Sequence, residues 1–209
     1  MRHRIDRTQP IRYEVDVIGR RRSCEHVILY GPPGAGKLTV ARALAGGYGM
    51  RVVDNHLSVD PALRLFDFGT PEFADVVEQI RVTLLGAAAR AGLDVVSTLV
   101  YAHLVDDDHL ATLISASQDG GAHVTLVQLA PSLDALLLRV GAPSRAATSK
   151  ISDPALLRRL LIDFDLRTPA RSDDLVIDNT ALPAAAAAQL IADHVGLVPV
   201  DAGRSPDRG

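Results

Sequence analysis

Residues 31–37 read GPPGAGK, which fits the pattern of glycine, four residues of any kind, glycine and lysine. Glycines have no Cβ, so successive backbone N–H groups can turn toward one point and cradle phosphate oxygens there. The lysine and the N-terminus of a following helix add positive charge toward the same point. The loop therefore predicts a nucleoside triphosphate site, with a strand before it and a helix after it.

The sequence on both sides of the loop supplies that arrangement. Residues 26–30 form a short apolar run that suits a buried parallel strand. Residues 37–45 are rich in strong helix formers, and we expect this helix to stop at Gly46 and Gly47. The residues expected to contact the nucleotide span the loop and the start of the helix: Gly31, Pro32, Pro33, Gly34, Ala35, Gly36, Lys37, Leu38 and Thr39.

The residue after the loop lysine departs from the usual pattern. A Ser or Thr hydroxyl normally binds Mg²⁺ at this place, whereas this chain has Leu38 followed by Thr39. One helical step turns a side chain by about 100°, so Thr39 reaches the usual place only if the loop shifts register. Either other groups hold Mg²⁺, or metal binding is weak.

The composition is that of an ordinary soluble globular protein. The 209 residues, 47% hydrophobic and 22% charged, suffice for one α/β domain. The net charge of −3 gives no general attraction to nucleic acid or to an anionic membrane, and no apolar run spans a bilayer. The single cysteine, Cys24, cannot form an internal disulfide, so we expect a cytoplasmic protein.

Both ends of the sequence differ from its middle. Residues 1–24 carry many arginines and lack the apolar stretch of a secretory signal, so they are interpreted as a disordered arm or as an arm that binds nucleic acid or a partner. Residues 199–209 are rich in Pro, Gly and Asp, which predicts a disordered tail.

Between these ends, strand-like runs alternate with helical patterns. The strand candidates lie at 26–30, 51–55, 94–101, 123–130 and 175–179; the helix candidates lie at 37–45, 60–65, 71–91, 105–117, 132–140, 154–166 and 183–195. This alternation predicts an α/β domain over residues 25–198. Its expected architecture is the three-layer fold of P-loop nucleoside triphosphate hydrolases, a five-stranded parallel sheet with helices on both faces and ligands at the carboxyl ends of the strands.

These features resemble the nucleoside-monophosphate kinase and shikimate kinase branch of P-loop kinases. Residues 55–60, NHLSVD, are also similar to a stretch in small bacterial AAA-type ATP-binding proteins of unsettled substrate. The resemblance implies ATP with Mg²⁺, an acceptor-holding hairpin after the second strand, and a basic lid at about 141–153. The glycine triplet of shikimate kinases after the third strand is missing, which argues against an ordinary shikimate kinase.

The end of the second strand holds the candidate catalytic side chains. By the resemblance, Asp54 either binds Mg²⁺ or takes the proton of the acceptor hydroxyl. His56 lies two residues further on, so it points to the same side if the strand persists, and it is a second candidate base. Asp60 either caps a helix that starts at Pro61 or contacts substrate, and Asn55 is expected to fix the turn.

Other candidates follow later strands. Ser97 and Thr98 stand where a Walker B carboxylate is usual, and they either bind the water shell of the metal or form buried hydrogen bonds to backbone. In the lid region, Arg145 is expected to stabilise the transferring phosphoryl group and Arg139 to lie on the adenine side; otherwise both are surface charges. Residues 178–180 are expected to wrap the adenine through backbone groups.

The sequence thus predicts an ATP-dependent kinase that phosphorylates a small molecule, with no membrane or nucleic-acid partner. Its catalytic residues are predicted to be Lys37, Asp54, His56 and Arg145, with Thr39 and Asp54 at the metal. The alternative is a nucleotide-binding ATPase or regulatory switch without an acceptor, which Leu38 and the missing Walker B carboxylate favour. A third hypothesis, a kinase acting on nucleic acid or protein through the basic arm, conflicts with the acidic net charge.

Overall fold

The computed structural model of the chain describes residues 23–143 and 151–200. In this part, the strands are β1 (Glu25–Tyr30), β2 (Arg51–Val53), β3 (Val95–Leu99), β4 (His123–Leu129) and β5 (Leu175–Ile177). The helices are α1 (Lys37–Tyr48), α2 (His56–Ala62), α3 (Pro71–Arg90), α4 (Asp107–Asp119), α5 (Leu133–Val140), α6 (Pro154–Asp163) and α7 (Ala184–Val195). Most of the predicted N-terminal arm, residues 144–150 of the predicted lid and residues 201–209 of the predicted tail lie outside the described residues.

The central strand β1 is buried on both faces. Val27 and Leu29 point to one face, where they pack in a cluster with residues of α1, α5, α6 and α7. Ile28 and Tyr30 point to the other face and pack with α3 and α4. A strand covered in this way is mainly apolar, as residues 27–30 are. The three-layer α/β fold expected from the sequence is therefore confirmed.

All strands run parallel in the order β2-β3-β1-β4-β5. Tyr30 at the end of β1 pairs with Leu99 at the end of β3, and Val53 at the end of β2 pairs with Ser97. The loop after β1 and the turn after β2 therefore emerge at the same edge of the sheet, one strand apart. Parallel sheets bind ligands at this carboxyl edge.

Several predicted helix boundaries shift by a few residues, and two of these differences bear on the site. The first helix continues through Gly46 and Gly47 to Tyr48, and Gly49 follows it with a φ of 74°. A left-handed residue after the helix is what stops it, whereas glycine within a helix only weakens it.

The second correction concerns α2, which begins at His56 with Asn55 as its N-cap residue. The expected start near Asp60 is wrong, because Pro61 lies inside the helix instead of opening it. The turn from β2 into α2 is consequently only two residues long, 54 and 55.

Candidate functional site

The phosphate loop is a tight turn between β1 and α1 that depends on glycine. Gly31, Gly34 and Gly36 have φ angles of 138°, 90° and 93°. A Cβ on Gly31 would lie 2.5 Å from the carbonyl oxygen of Leu129, and one on Gly34 would lie 2.8 Å from Cγ2 of Val140. Side chains at these positions are excluded, which leaves a backbone-lined loop directly before the N-terminus of α1.

Lys37 begins α1, and its ammonium group lies against this loop. Its Nζ donates to the carbonyl oxygen of Gly31 at 2.6 Å and to that of Pro32 at 3.0 Å. On the far side, Nδ2 of Asn179 donates to the carbonyl oxygen of Ala35 at 2.7 Å. The Asn179 side chain is buried. The sequence predicted only backbone contacts around Asn179 and missed this anchor, which ties the loop to the end of β5.

At the start of α1, no hydroxyl occupies the position next to Lys37 that usually binds the metal. The N–H groups of Thr39 and Val40 both bond the carbonyl oxygen of Gly36, at 3.0 and 3.1 Å, so the helix is regular from its first turn. Leu38 is partly buried, and Thr39 is exposed. The register shift that would bring Thr39 to the place of Leu38 is therefore not observed.

A carboxylate organises the turn from β2 into α2. Oδ1 of Asp54 accepts the backbone N–H of His56 at 2.8 Å. One helical turn later, Oδ1 of Asp60 lies 2.8 Å from Nδ1 of His56. The strand ends at Val53, so the expected alignment of Asp54 and His56 along a persisting strand is wrong. In the capped turn the Asp54 carboxylate instead bonds the backbone of His56, and Asp60 orients the imidazole from inside the helix instead of capping it.

Arg81 of α3 lies directly behind this turn, and the sequence analysis missed it. Its Nε donates to Oγ of Ser58 at 2.9 Å, and its Nη2 donates to Oδ1 of Asn55 at 2.6 Å. Burial lowers the pKa of Arg81 to about 10, with Asp106 and Glu78 opposing that shift, so the side chain is charged at neutral pH. Asn55 fixes the turn, as predicted, but it does so through this arginine.

The signal that could have revealed Arg81 is its place in the helix. Phe73, Val77, Leu85 and Ala89 recur every four residues along α3, and all four are buried. Arg81 occupies the middle position of that series. A cation on an apolar stripe has to be paired with polar groups when the helix packs, so its position alone marks it as a residue with specific partners.

The end of β3 carries hydroxyls where a carboxylate is usual. Oγ1 of Thr98 accepts the backbone N–H of Asn55 at 3.0 Å. Ser97 and Thr98 are both buried. Of the two alternatives for Thr98, its geometry matches a buried hydroxyl bonded to backbone, and this bond joins β3 to the β2–α2 turn. A small cavity beneath the turn is lined by Asp54, Arg81, Ser97 and Thr98 together with apolar residues of the core.

A buried tyrosine holds the segment that follows β3. The hydroxyl of Tyr101 donates to Oδ1 of Asp107 at 2.5 Å, and burial raises the pKa of Tyr101. Nδ1 of His103 lies 3.3 Å from the same hydroxyl. The backbone N–H of His103 donates to the carbonyl oxygen of Asp165 at 2.8 Å. The next residue, Leu104, has a φ of 65°.

The predicted lid arginines have different outcomes. Nη2 of Arg139 donates to the carbonyl oxygens of Asn179 and Thr180, at 2.7 and 3.0 Å. Arg139 is thus built into the segment after β5, the segment expected to surround adenine. Arg145 lies outside the described residues.

The donor set fits a weakly held Mg²⁺ better than a protein-built metal centre. No group of three or more His, Cys, Asp or Glu side chains that could hold a metal occurs within residues 23–143 and 151–200. Mg²⁺ beside nucleotides commonly takes only one or two carboxylates, with phosphates and water completing its shell. Asp54 supplies a carboxylate of this kind at the carboxyl edge, so the residues present fit a metal carried mainly by the nucleotide.

Comparisons with known proteins decide the fold class. No family model and no curated protein matches the chain. Among solved structures, a sugar kinase from Janibacter sp. HTCC2649 aligns at a TM-score of 0.61 and 17% identity, covering 84% of this chain and 96% of that one. The APS kinase of Mycobacterium tuberculosis in complex with AMPPNP and APS aligns at 0.56 and 18%, covering 83% and 98%. The chain has a P-loop kinase fold.

Shikimate kinase, one of the two kinds of kinase that the sequence resembles, is also among the structural matches. Shikimate kinase from Acinetobacter baumannii in complex with shikimate aligns at a TM-score of 0.51 and 17% identity, covering 82% of this chain and 93% of that one. The shikimate-kinase-like P-loop fold is therefore confirmed. Among the described helices of this P-loop kinase fold, none combines the length and apolar character needed to cross a membrane.

Proposed function

We propose that the chain is an ATP-dependent phosphotransferase that moves the γ-phosphoryl group to a small-molecule acceptor. The observation that carries this proposal is the glycine-shaped loop with Lys37 at the N-terminus of α1, at the same sheet edge as the capped Asp54 turn. A phosphate site and a carboxylate on neighbouring segments are what transfer to a hydroxyl or phosphate oxygen requires. The sugar kinase, APS kinase and shikimate kinase among the structural neighbours support a small acceptor.

The chemistry divides between the two segments. In the transfer, a bond forms between the acceptor oxygen and the γ-phosphorus, the bond from that phosphorus to the β–γ bridging oxygen breaks, and ADP leaves. The Lys37 ammonium, the loop amides and the N-terminus of α1 stabilise the negative charge on the phosphates. Asp54 or the Asp60-oriented His56 receives the proton of the acceptor.

Metal and lid residues complete the proposed site. Mg²⁺, when bound, neutralises charge on the β- and γ-phosphates, and Asp54 is the carboxylate that would hold it. Arg139 keeps the segment after β5 in place beside the adenine. Arg145 is proposed to reach the transferring group from the lid at about 141–153.

An ATPase or regulatory switch without an acceptor is the second candidate. Three observations favour it. Leu38 stands at the metal-hydroxyl position, and Thr98 stands where a Walker B carboxylate is usual. Within the described parts of the chain, no group of three or more His, Cys, Asp or Glu side chains could hold a metal. Under this function, ATP is hydrolysed at one rate regardless of which small molecules are present.

The rate of ADP release, measured with and without small-molecule acceptors, distinguishes the phosphotransferase from the ATPase. The protein is incubated with Mg²⁺ and ATP alone, and then with pools of sugars, hydroxy acids, nucleosides and nucleoside monophosphates. The phosphotransferase predicts that one pool raises ADP release at least tenfold and that labelled γ-phosphate appears in a pool compound. An equal rate in every pool, with label only in inorganic phosphate, contradicts it and supports the ATPase.

Two variants assign roles in the same assay. Asp54→Asn removes the carboxylate charge and lowers turnover by about 10²–10³-fold, the range for loss of a catalytic acid–base or charge-stabilising group. Asp75→Asn changes an exposed carboxylate on α3 and serves as the matched control, with unchanged turnover. Equal rates for the two variants would remove Asp54 from the mechanism.

A further inference from the structure

A chain of three polar side chains, two from α3 and one from α4, leads to the proposed acceptor side. Oε2 of Glu78 lies 2.7 Å from Nδ1 of His109, and Nε2 of His109 lies 2.8 Å from Nη1 of Arg81. Arg81 then donates to Oδ1 of Asn55 and to Oγ of Ser58. The chain thus ends on the turn that presents Asp54 and His56.

The chemistry of these groups fixes where the protons lie. A guanidinium has only donors, so Nε2 of His109 must accept from Arg81 and therefore carries no proton. The ring proton is then on Nδ1, which donates to the carboxylate of Glu78. The geometry accordingly assigns His109 as a neutral imidazole in the Nδ1–H tautomer.

We propose that Arg81 is a positioning residue for the proposed phosphotransfer, and that neutral His109, held by Glu78, keeps it in place. Asn55 lies between Asp54 and His56. Its N–H bonds Oγ1 of Thr98, and its carbonyl oxygen accepts from Ser58 and Val59, but the bond to its side chain comes from Arg81. Loss of the Arg81 contact therefore releases the Asn55 side chain while the backbone contacts remain. This inference rests on the function proposed above.

Protonation of His109 breaks the chain. It places an N–H on Nε2 opposite the N–H of Arg81, so a donor faces a donor and two positive charges face each other. The charged and titratable groups around Arg81 are Glu78 on its own helix, His109 on α4, Asp106 before α4, and Asp54, which lines the same cavity.

The proton assignment is tested by ¹⁵N NMR of the full chain labelled at histidine. At pH 7.5, the long-range correlations of His109, assigned by comparison with His109→Gln, should show a protonated Nδ1 and an unprotonated Nε2. An imidazolium at this pH, or the Nε2–H tautomer, overturns the proposal. This measurement needs no nucleotide or acceptor, so it stands apart from the test of the proposed function.

The positioning role is tested by ATP turnover with Mg²⁺ and water as acceptor. His109→Gln keeps an acceptor oxygen for Arg81 and should retain turnover within about threefold. His109→Leu removes the acceptor and should lose tenfold or more, as displaced catalytic groups do, while its dissociation constant for ATP stays within twofold. Arg81 contacts its three partners through three separate nitrogens, which the single nitrogen of lysine cannot reproduce, so Arg81→Lys should behave like His109→Leu.

The chain contains a matched control at the opposite edge of the sheet. Nδ1 of His123 lies 2.9 Å from Oε2 of Glu25, a histidine–glutamate pair like that of His109 and Glu78. His123→Leu should leave turnover unchanged. Equal turnover in His109→Leu and His123→Leu overturns the positioning role. Failure of wild type to bind ATP overturns the proposed function, and with it the catalytic part of this inference, whatever the NMR result.

Discussion

At the scale of single residues, buried polar side chains have hydrogen bonds that fix their protonation. His26 at the start of β1 is 1% exposed, and its Nδ1 lies 3.0 Å from Oγ of Ser117. The Ser117 hydroxyl already donates to the carbonyl oxygen of Leu113 at 3.1 Å, so it accepts from His26. Burial is the main cause that lowers the pKa of His26. The folded protein therefore holds this imidazole neutral.

This burial predicts a loss of stability in acid. An unfolded histidine takes up a proton with a pKa of about 6.5, whereas folded His26 takes one up only at lower pH. Between the folded and the unfolded pKa, the unfolded state therefore binds more protons than the folded state. The free energy of unfolding should therefore fall as the pH drops below about 6.5. Urea unfolding at a series of pH values from 7.5 to 5 measures how the free energy of unfolding depends on pH.

Two asparagine variants isolate the effect of His26. His26→Asn, whose Nδ2 can still donate to Ser117, should show a shallower fall in the unfolding free energy than wild type. His194→Asn alters an exposed histidine on α7 and should keep the wild-type slope. The same slope in all three proteins would contradict the burial argument.

At the scale of elements, the phosphate loop takes its shape from the helix behind it. An added Cβ on Gly34, at a φ of 90°, would lie 2.8 Å from Cγ2 of Val140 and 3.2 Å from the carbonyl oxygen of Leu136, both in α5. The loop is thus pressed against α5 on one side and tied to Asn179 on the other. Its conformation is set by packing before any nucleotide binds.

Gly34→Ala should therefore lower the unfolding free energy by about 1–3 kcal/mol, through backbone strain and overpacking. It should also weaken nucleotide binding. Gly46→Ala is the control: this exposed position in α1 has nothing within 4 Å of an added Cβ, so alanine should stabilise the protein by about 0.5–1 kcal/mol. Denaturant titration compares the two, and a stabilised Gly34→Ala protein would contradict the packing argument.

At the scale of the whole molecule, the sequence was sufficient to locate the five strands, because all five predicted strand ranges overlap the observed ones. For the central strands β1, β3 and β4, the physical reason is that a parallel strand covered on both faces is a short, mainly apolar run. The phosphate loop was equally local, because its glycines and lysine are contiguous in the chain.

The remainder of the site depends on contacts between residues far apart in sequence. Arg81 reaches Asn55 across 26 positions, and Asn179 reaches Ala35 across 144. Neither partner can be identified from spacing along the chain. The start of α2 at His56 was missed for a different reason: Pro61 resembles a first helical residue, and Asp54 instead caps the turn from outside the helix.

The central claim, that this molecule binds a nucleoside triphosphate at its phosphate loop, is tested most directly by calorimetric titration with AMPPNP and Mg²⁺. We predict saturable one-to-one binding to wild type, at least tenfold weaker binding to Lys37→Ala because one charged phosphate contact is lost, and unchanged binding to Arg42→Ala, an exposed cation on the same helix. Absence of binding to wild type, or equal binding to wild type and Lys37→Ala, would contradict the account.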